Sequence, residues 1–197
     1  MTDGALTDLT VLEVGDMISA PFCTKLMADL GAEVIKIEHP QHGDASRRVG
    51  PFLNDAPHLE KSGLFLYLNA NKLGITLNLM DPEGLGLLQR LVACADVLVH
   101  NLPPEQADEL GLNYERLESF NKGIVVTSIT PFGMTGPYRS FKATPFNISH
   151  FGGAAYLLGD PEREPLPWPE DQSAYFGGIS AAGATMCALL ARDIDGL

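Results

Sequence analysis

The sequence predicts an α/β fold: a doubly wound, mostly parallel sheet. Short β-branched apolar runs end in glycine or proline. Each is followed by a stretch carrying helix start and stop signals, and the alternation repeats along the chain. The runs are nearly continuous in apolar residues, as strands covered on both faces must be.

Leu9–Gly15, "LTVLEVG", reads as the first strand. Pro21 then opens a helix, "PFCTKLMADL", with Gly31 beyond its end. "AEVIKIEHP" is the second strand, stopped by Pro40, so strand, helix and strand form a right-handed parallel unit. "QHGDASRRVGPF" and "NDAPHLEKSG" read as polar, exposed loops. "GITLNL" is a strand, followed by "DPEGLGLLQRLVACA", a helix with Asp81 as N-cap and Pro82 in its first turn. "DVLVHNL" and "GIVVTSIT" are further strands, separated by short helices in "PPEQADELG" and "YERLESFN". "PFGMTGPY" is a Gly/Pro loop. Near the end, "EDQSAYFGGISAAGATMCALLAR" reads as a polar approach, a Gly-Gly step at Gly177–Gly178 and a helix of small residues.

Composition narrows the function classes. Apolar residues make up 45% and charged residues 19% of the 197-residue chain, enough to bury a core. The net charge of −12 argues against nucleic acid and against anionic membranes, since both need a basic field. Cys23, Cys94 and Cys187 are odd in number and widely spaced. They suggest reduced thiols and a cytoplasmic location, not a disulfide framework or zinc site. No His/Cys/Asp cluster has ligand spacing, so no metal is expected. The first residues lack a basic segment before an apolar one, so no signal peptide is expected, and no apolar run reads as a membrane span.

In a doubly wound sheet, ligands bind outside the C-terminal ends of the strands. Those ends are Gly15–Pro21, Glu38–Arg48, His100–Pro104 and Thr130–Tyr138. None carries a dinucleotide or P-loop glycine pattern. Arg47 and Arg48 in "GDASRR" read either as a phosphate clamp or as an ordinary solvated turn.

Taken in order, the segments resemble the family III CoA-transferases, which include carnitine, formate and oxalate CoA-transferases and α-methylacyl-CoA racemases. The likeness runs from "LTDLTVLEVGDMISAPFCTKLMADLGAEVIKIEHPQHGDASRRVGPF" through "LNANKLGITLNLMDPEG" and "ADVLVHNLPPEQADELGLNYERL" to "FGMTGPYRS" and "GGAAYLLGDPEREPL". The resemblance implies that residues 1–197 are a Rossmann-like, CoA-binding N-terminal domain. The resemblance further implies that the family's smaller second domain is missing here, so a fragment, a split subunit or one piece of a larger polypeptide is expected. It also implies acyl-CoA and a small carboxylic acid as substrates, coenzyme A as substrate with no permanently bound cofactor, and either an interlocked homodimer or a partner family III domain.

The sequence departs from the family pattern at the nucleophile. The family uses an aspartate that passes through an acyl anhydride and then an enzyme–CoA thioester. At the matching position, just before the aromatic and Gly-Gly step, stands Ala174. Asp171, three residues upstream, is the candidate substitute, up to ~10 Å away if the segment is extended. The racemase His-Asp pair has Thr144 and Pro145 in its place, with His150 nearby. Among the family's CoA-contact positions, His39 stands for an arginine, while Arg47, Arg48, Lys72 and Asn101 remain. Ala70, Leu73, Pro103 and Glu109 stand where basic residues are usual. Each lost charge-assisted bond weakens phosphate affinity by about 1.5–3 kcal/mol. Three functions stay open: an active CoA-transferase, a catalytically inert half of an active assembly, and a CoA-binding module without turnover.

Overall fold

In a computed structural model, residues 4–168 and 171–196 are described. Five strands form one sheet: β1 (Thr10–Val14), β2 (Glu33–Glu38), β3 (Lys72–Thr76), β4 (Val97–His100) and β5 (Val125–Ser128). Their spatial order is β3-β2-β1-β4-β5, every pair parallel. The order reverses between β1 and β4, which creates a crevice at the strands' C-terminal ends. The helices are α1 (Ser19–Asp29), α2 (Gly63–Leu68), α3 (Pro82–Val92), α4 (Pro104–Leu110), α5 (Tyr114–Leu117), α6 (Pro145–Phe151) and α7 (Gln172–Asp195).

Strand alternation divides the core in two. Leu12, Val14 and Leu98 pack with Leu88 and Val92 of α3 and Ala107 and Leu110 of α4. Val11, Val34, Val97 and Val99 face the other way, onto Cys23 and Met27 of α1 and Ala182 and Leu189 of α7. This gives a sheet covered by helices on both sides, as the near-continuous apolar runs require. The Asp81 side chain accepts from the Glu83 N–H, with Pro82 in the first turn, as the sequence predicts.

Four boundaries differ from the sequence reading. α1 begins at Ser19, two residues before Pro21. α2 was not predicted; its start is fixed by the Ser62 hydroxyl, which accepts from the Phe65 N–H. β3 begins at Lys72, directly after Asn71 in the left-handed region (φ 64°), rather than at Gly74. α7 begins at Gln172, so Gly177 and Gly178 lie inside the helix and do not precede it.

A further correction concerns membrane length: α7 is, by length and composition, apolar enough to cross a membrane. Its many Gly, Ser and Thr residues break up the visible apolar run while leaving the stretch hydrophobic on average. One face of the helix packs on α1 through Gly178, Ala182, Thr185 and Leu189.

The small residues of α7 have a packing cause at that contact. A Cβ on Gly178 would lie 2.7 Å from the Ser19 carbonyl oxygen and 3.3 Å from the Cys23 nitrogen and the Phe22 Cβ. Gly183, on the exposed face, has nothing within 4 Å of such an atom. The bare backbone at position 178 lets the two helices touch at their N-terminal ends, beside the strand C-termini.

Beneath those strand ends lies a buried charge cluster. Glu13 of β1 and Lys36 of β2 are register partners, 0% and 2% exposed, with Lys36 Nζ 2.6 Å from Glu13 Oε1. Lys72 Nζ donates to Glu13 Oε2 at 2.8 Å and to the Pro21 carbonyl at 2.8 Å. The Thr24 hydroxyl donates to Glu13 Oε2 at 2.6 Å. Lys36 also pairs with Asp44 Oδ2 at 2.7 Å, which anchors the loop after β2. Burial pushes the Glu13 carboxyl up, but the two ammonium groups outweigh it and hold Glu13 below its usual range. Burial likewise pushes Lys36 down, and Glu13 and Asp44 more than reverse it. At Lys72 burial wins, lowering its pKa to about 8.

Two predictions follow from this architecture. Gly178→Ala should destabilise the chain by about 1–3 kcal/mol in urea unfolding, through overpacking against α1. Gly183→Ala should be neutral or up to about 1 kcal/mol stabilising, because alanine is the better helix former. Equal effects at the two sites would contradict the packing account. The second concerns charge: Lys36→Met strands Asp44 and half of Glu13 and should cost about 3–5 kcal/mol. Glu13 and Asp44 have folded pKa values depressed below 4.5 and 3.8, Asp44 to about 2. Their contribution is therefore present above about pH 4.5 and lost as pH falls towards 2. Loss of more than 1 kcal/mol across that window in the wild type, and a smaller loss in Lys36→Met, is the expected result.

Candidate functional site

Two cavities open at the strand C-termini. The first, about 340 Å³, lies beyond β1, β2 and β3 and is lined by Asp16, His39, His42, Arg48, Leu79 and Gln106 among others. The second, about 560 Å³, lies between the β1–α1 loop, residues 129–131, α6 and the first turn of α7. Asp16 lines the first and Met17 the second, so the β1–α1 loop is the ridge between them.

That ridge is tied down residue by residue. Met17 sits in the left-handed region at φ 61°. Its N–H donates to Asp16 Oδ1 at 2.8 Å and Asp44 Oδ1 at 3.2 Å. Asp16 Oδ1 also accepts from the Ala45 N–H at 2.6 Å. Asn101 grips the same loop from β4's end: its Oδ1 accepts from the Asp16 N–H, and its Nδ2 donates to the Asp16 carbonyl at 2.7 Å and to Ser19 Oγ at 3.0 Å. Burial raises the Asp16 pKa, and a hydrogen bond with Asp44 adds to this. Burial also pushes Asp44 up, but Lys36 and the bonds from Asp16 and Ser46 hold it down at about 2. Of the pair, Asp16 is therefore the more readily protonated carboxyl and Asp44 the stronger acid.

The residues proposed from sequence for CoA contact fall into separate roles. His39 and Arg48 line the first cavity. His39 stacks on His42 with ring centroids 4.7 Å apart, and Arg48 Nη1 donates to the His42 carbonyl at 2.6 Å. Asn101 lines the second cavity. Arg47 is committed elsewhere: its guanidinium binds both Glu38 carboxylate oxygens at 2.8 Å and Glu60 at 2.8 Å, and lies 3.6 Å over the Phe65 ring. Lys72 is held in the buried cluster around Glu13. His150, on α6, bonds its own helix through Nδ1 and the Phe146 carbonyl at 2.8 Å and lines neither cavity.

Asp171 and Ala174 both line the second cavity. Asp171 is the N-cap residue of α7, and its carbonyl accepts from the N–H groups of Ala174 at 2.9 Å and Tyr175 at 3.3 Å. The segment between them is therefore helical, and three residues advance by roughly 5 Å at 1.5 Å each rather than the ~10 Å of an extended chain. The Asp171 carboxylate caps no N–H and has no hydrogen bond among the described residues.

Sequence reading missed the Glu13–Lys36–Lys72–Asp44 cluster that supports this floor. Its signal was present: two charges of opposite sign in otherwise apolar, doubly covered strands. It also missed His100, wholly buried at the end of β4, whose Nε2 is 2.7 Å from Ser128 Oγ. Burial lowers the His100 pKa to about 4, so the ring is neutral at pH 7. The pair lines neither cavity and braces β4 against β5.

Comparison with known proteins fits this geometry. The family model described as CoA-transferase family III matches residues 6–197. A succinate–glutarate CoA-transferase from Agrobacterium fabrum is 33% identical over 187 residues, covering 94% of this chain and 47% of its own length. The beta subunit of a succinyl-CoA–L-malate CoA-transferase from Chloroflexus aurantiacus is 34% identical over 193 residues, covering 97% of this chain and 46% of its own. A crystal structure of a CAIB/BAIF family protein from Brucella suis superposes with a TM-score of 0.89 at 34% identity, over 99% of this chain and 51% of that one. The chain spans about half the length of the relatives it matches. The family-model match over residues 6–197 and relatives at 33–34% identity show that this chain belongs to CoA-transferase family III.

Proposed function

We propose that the chain serves a CoA-transferase that moves CoA between acyl-CoA thioesters and carboxylic acids, with Asp171 as the nucleophile. The observation that carries this reading is the shared cavity: Asp171 brings a carboxylate, free of any cap bond, to the space that Ala174 lines. The nucleotide end of CoA lies in the first cavity, beside Arg48, His39 and His42. Its pantetheine arm crosses the ridge at Asp16 and Met17 and brings the thioester to the second.

In this mechanism an Asp171 oxygen attacks the thioester carbonyl carbon, and the C–S bond breaks to give an aspartyl–acyl anhydride and CoA thiolate. The thiolate then attacks the aspartyl carbonyl, forming an enzyme–CoA thioester and releasing the first acid. The acceptor carboxylate reverses the two steps and leaves with CoA. Asn101 and Asp44 contribute by fixing the ridge that positions the thioester, not by touching it.

Ala174 favours a second reading, in which this chain is the inert half of an assembly and a partner family III domain supplies the nucleophile. A methyl group cannot attack a thioester, and several relatives are named as subunits. Acyl-CoA incubation with hydroxylamine trapping and intact-mass analysis separates the two. An adduct on Asp171, with activity falling at least about 10³-fold in Asp171→Ala, is the expected outcome. CoA binding with no adduct on this chain, and full activity in Asp171→Ala, would transfer the nucleophile to the partner.

A further inference from the structure

The two cavities differ in charge. The first carries Arg48, His39 and His42 beside the carboxylates of Asp16, Glu38 and Asp44, so it offers a cation as well as acids. Among the described residues lining the second there is no Lys, Arg or His, and the single ionisable side chain is the acid Asp171. The chain as a whole carries a net charge of −12, so the surrounding field does not favour an anion there.

Its polar side chains are short and partly engaged. Asn101 spends its amide on Asp16 and Ser19, and Ser19 Oγ receives one of those bonds. Thr144 Oγ1 is used in the capping box with Asn147 at the start of α6. Exposed Ser180 is left, together with Thr130 Oγ1 and Ser173 Oγ, which are both buried and without a hydrogen-bond partner. A hydroxyl donates and accepts, so it satisfies a neutral oxygen without compensating a charge. The remaining wall is apolar: Ile18, Ile129, Ile148, Phe176 and the Ala174 methyl.

We infer that the acyl group taken by the second cavity is uncharged at its far end: a monocarboxylic acyl chain, not the half-ester of a dicarboxylic acid. This rests on the reading of that cavity as the thioester site and adds the substrate class. A distal carboxylate held there would lose water, meet no cation among the described lining residues and lie beside the Asp171 carboxylate. A neutral chain of the same carbon count meets none of these penalties and buries its methylenes against isoleucine and phenylalanine.

The test compares butyryl-CoA with succinyl-CoA, both four-carbon acyl groups, by calorimetry on the complete protein that carries this chain, with free CoA as reference. Butyryl-CoA should bind at least about tenfold more tightly, the effect of one uncompensated polar penalty of about 1.4 kcal/mol. Ala143→Arg, at the partly exposed rim of the cavity, should bring the two affinities together by recovering succinyl-CoA about tenfold. A wild-type ratio below tenfold, or a preference for succinyl-CoA, overturns the inference and leaves the CoA-transferase reading standing. Failure of CoA and both thioesters to bind overturns that reading as well.

Discussion

Glu13 is the point from which the ligand end of this molecule is built. Its carboxylate, with no access to solvent, takes bonds from Lys36, Lys72 and Thr24 and so joins β1 to β2, β3 and α1. Lys36 passes the connection on to Asp44, and Asp44 to Met17 and Ser46. A single buried chain of charges thus fixes both loops that frame the strand ends. Replacing it with apolar side chains could match its stability. It could not hold the ridge between the two cavities, because that ridge hangs on directional bonds from Asp16, Asp44 and Asn101.

The other half of the site depends on a close approach of backbones. α7 meets α1 at Gly178, where no side chain intervenes, and this brings the first turn of α7 over the second cavity. Asp171 and Ala174 are carried there together. The small residues of α7 are therefore explained in part by helix packing, independently of any ligand. Its other face, with Phe176, Ile179, Leu190 and Ile194, is exposed.

Much of the fold was legible because its signals are local. The β-branched runs, Asp81 with Pro82, and Gly111 after α4 each mark an element without help from distant residues. The start of α7 was misplaced because a Gly-Gly pair reads as a break, whereas tertiary contact with α1 requires the glycine inside the helix. Of the residues proposed for the site, His39 and Arg48 come together at one cavity, Asn101 and Asp171 at the other. Arg47 is drawn into ion pairs with Glu38 and Glu60, 9 and 13 residues away, and Lys72 into one with Glu13, 59 residues away. Spacing alone could not distinguish a free arginine from a neutralised one. It could have flagged Glu13 and Lys36, since a charge in a doubly covered strand must find an opposite charge.

In the proposed function one CoA thioester spans both cavities across the Asp16–Met17 ridge. A crystal structure of the complete protein with a non-hydrolysable acyl-CoA analogue tests it most directly. The phosphates should lie beside Arg48 and His39, and the carbonyl carbon within about 3–3.5 Å of an Asp171 oxygen, the separation that attack requires. Density that leaves the first cavity empty, or places the acyl group away from Asp171 and Ala174, would contradict the account.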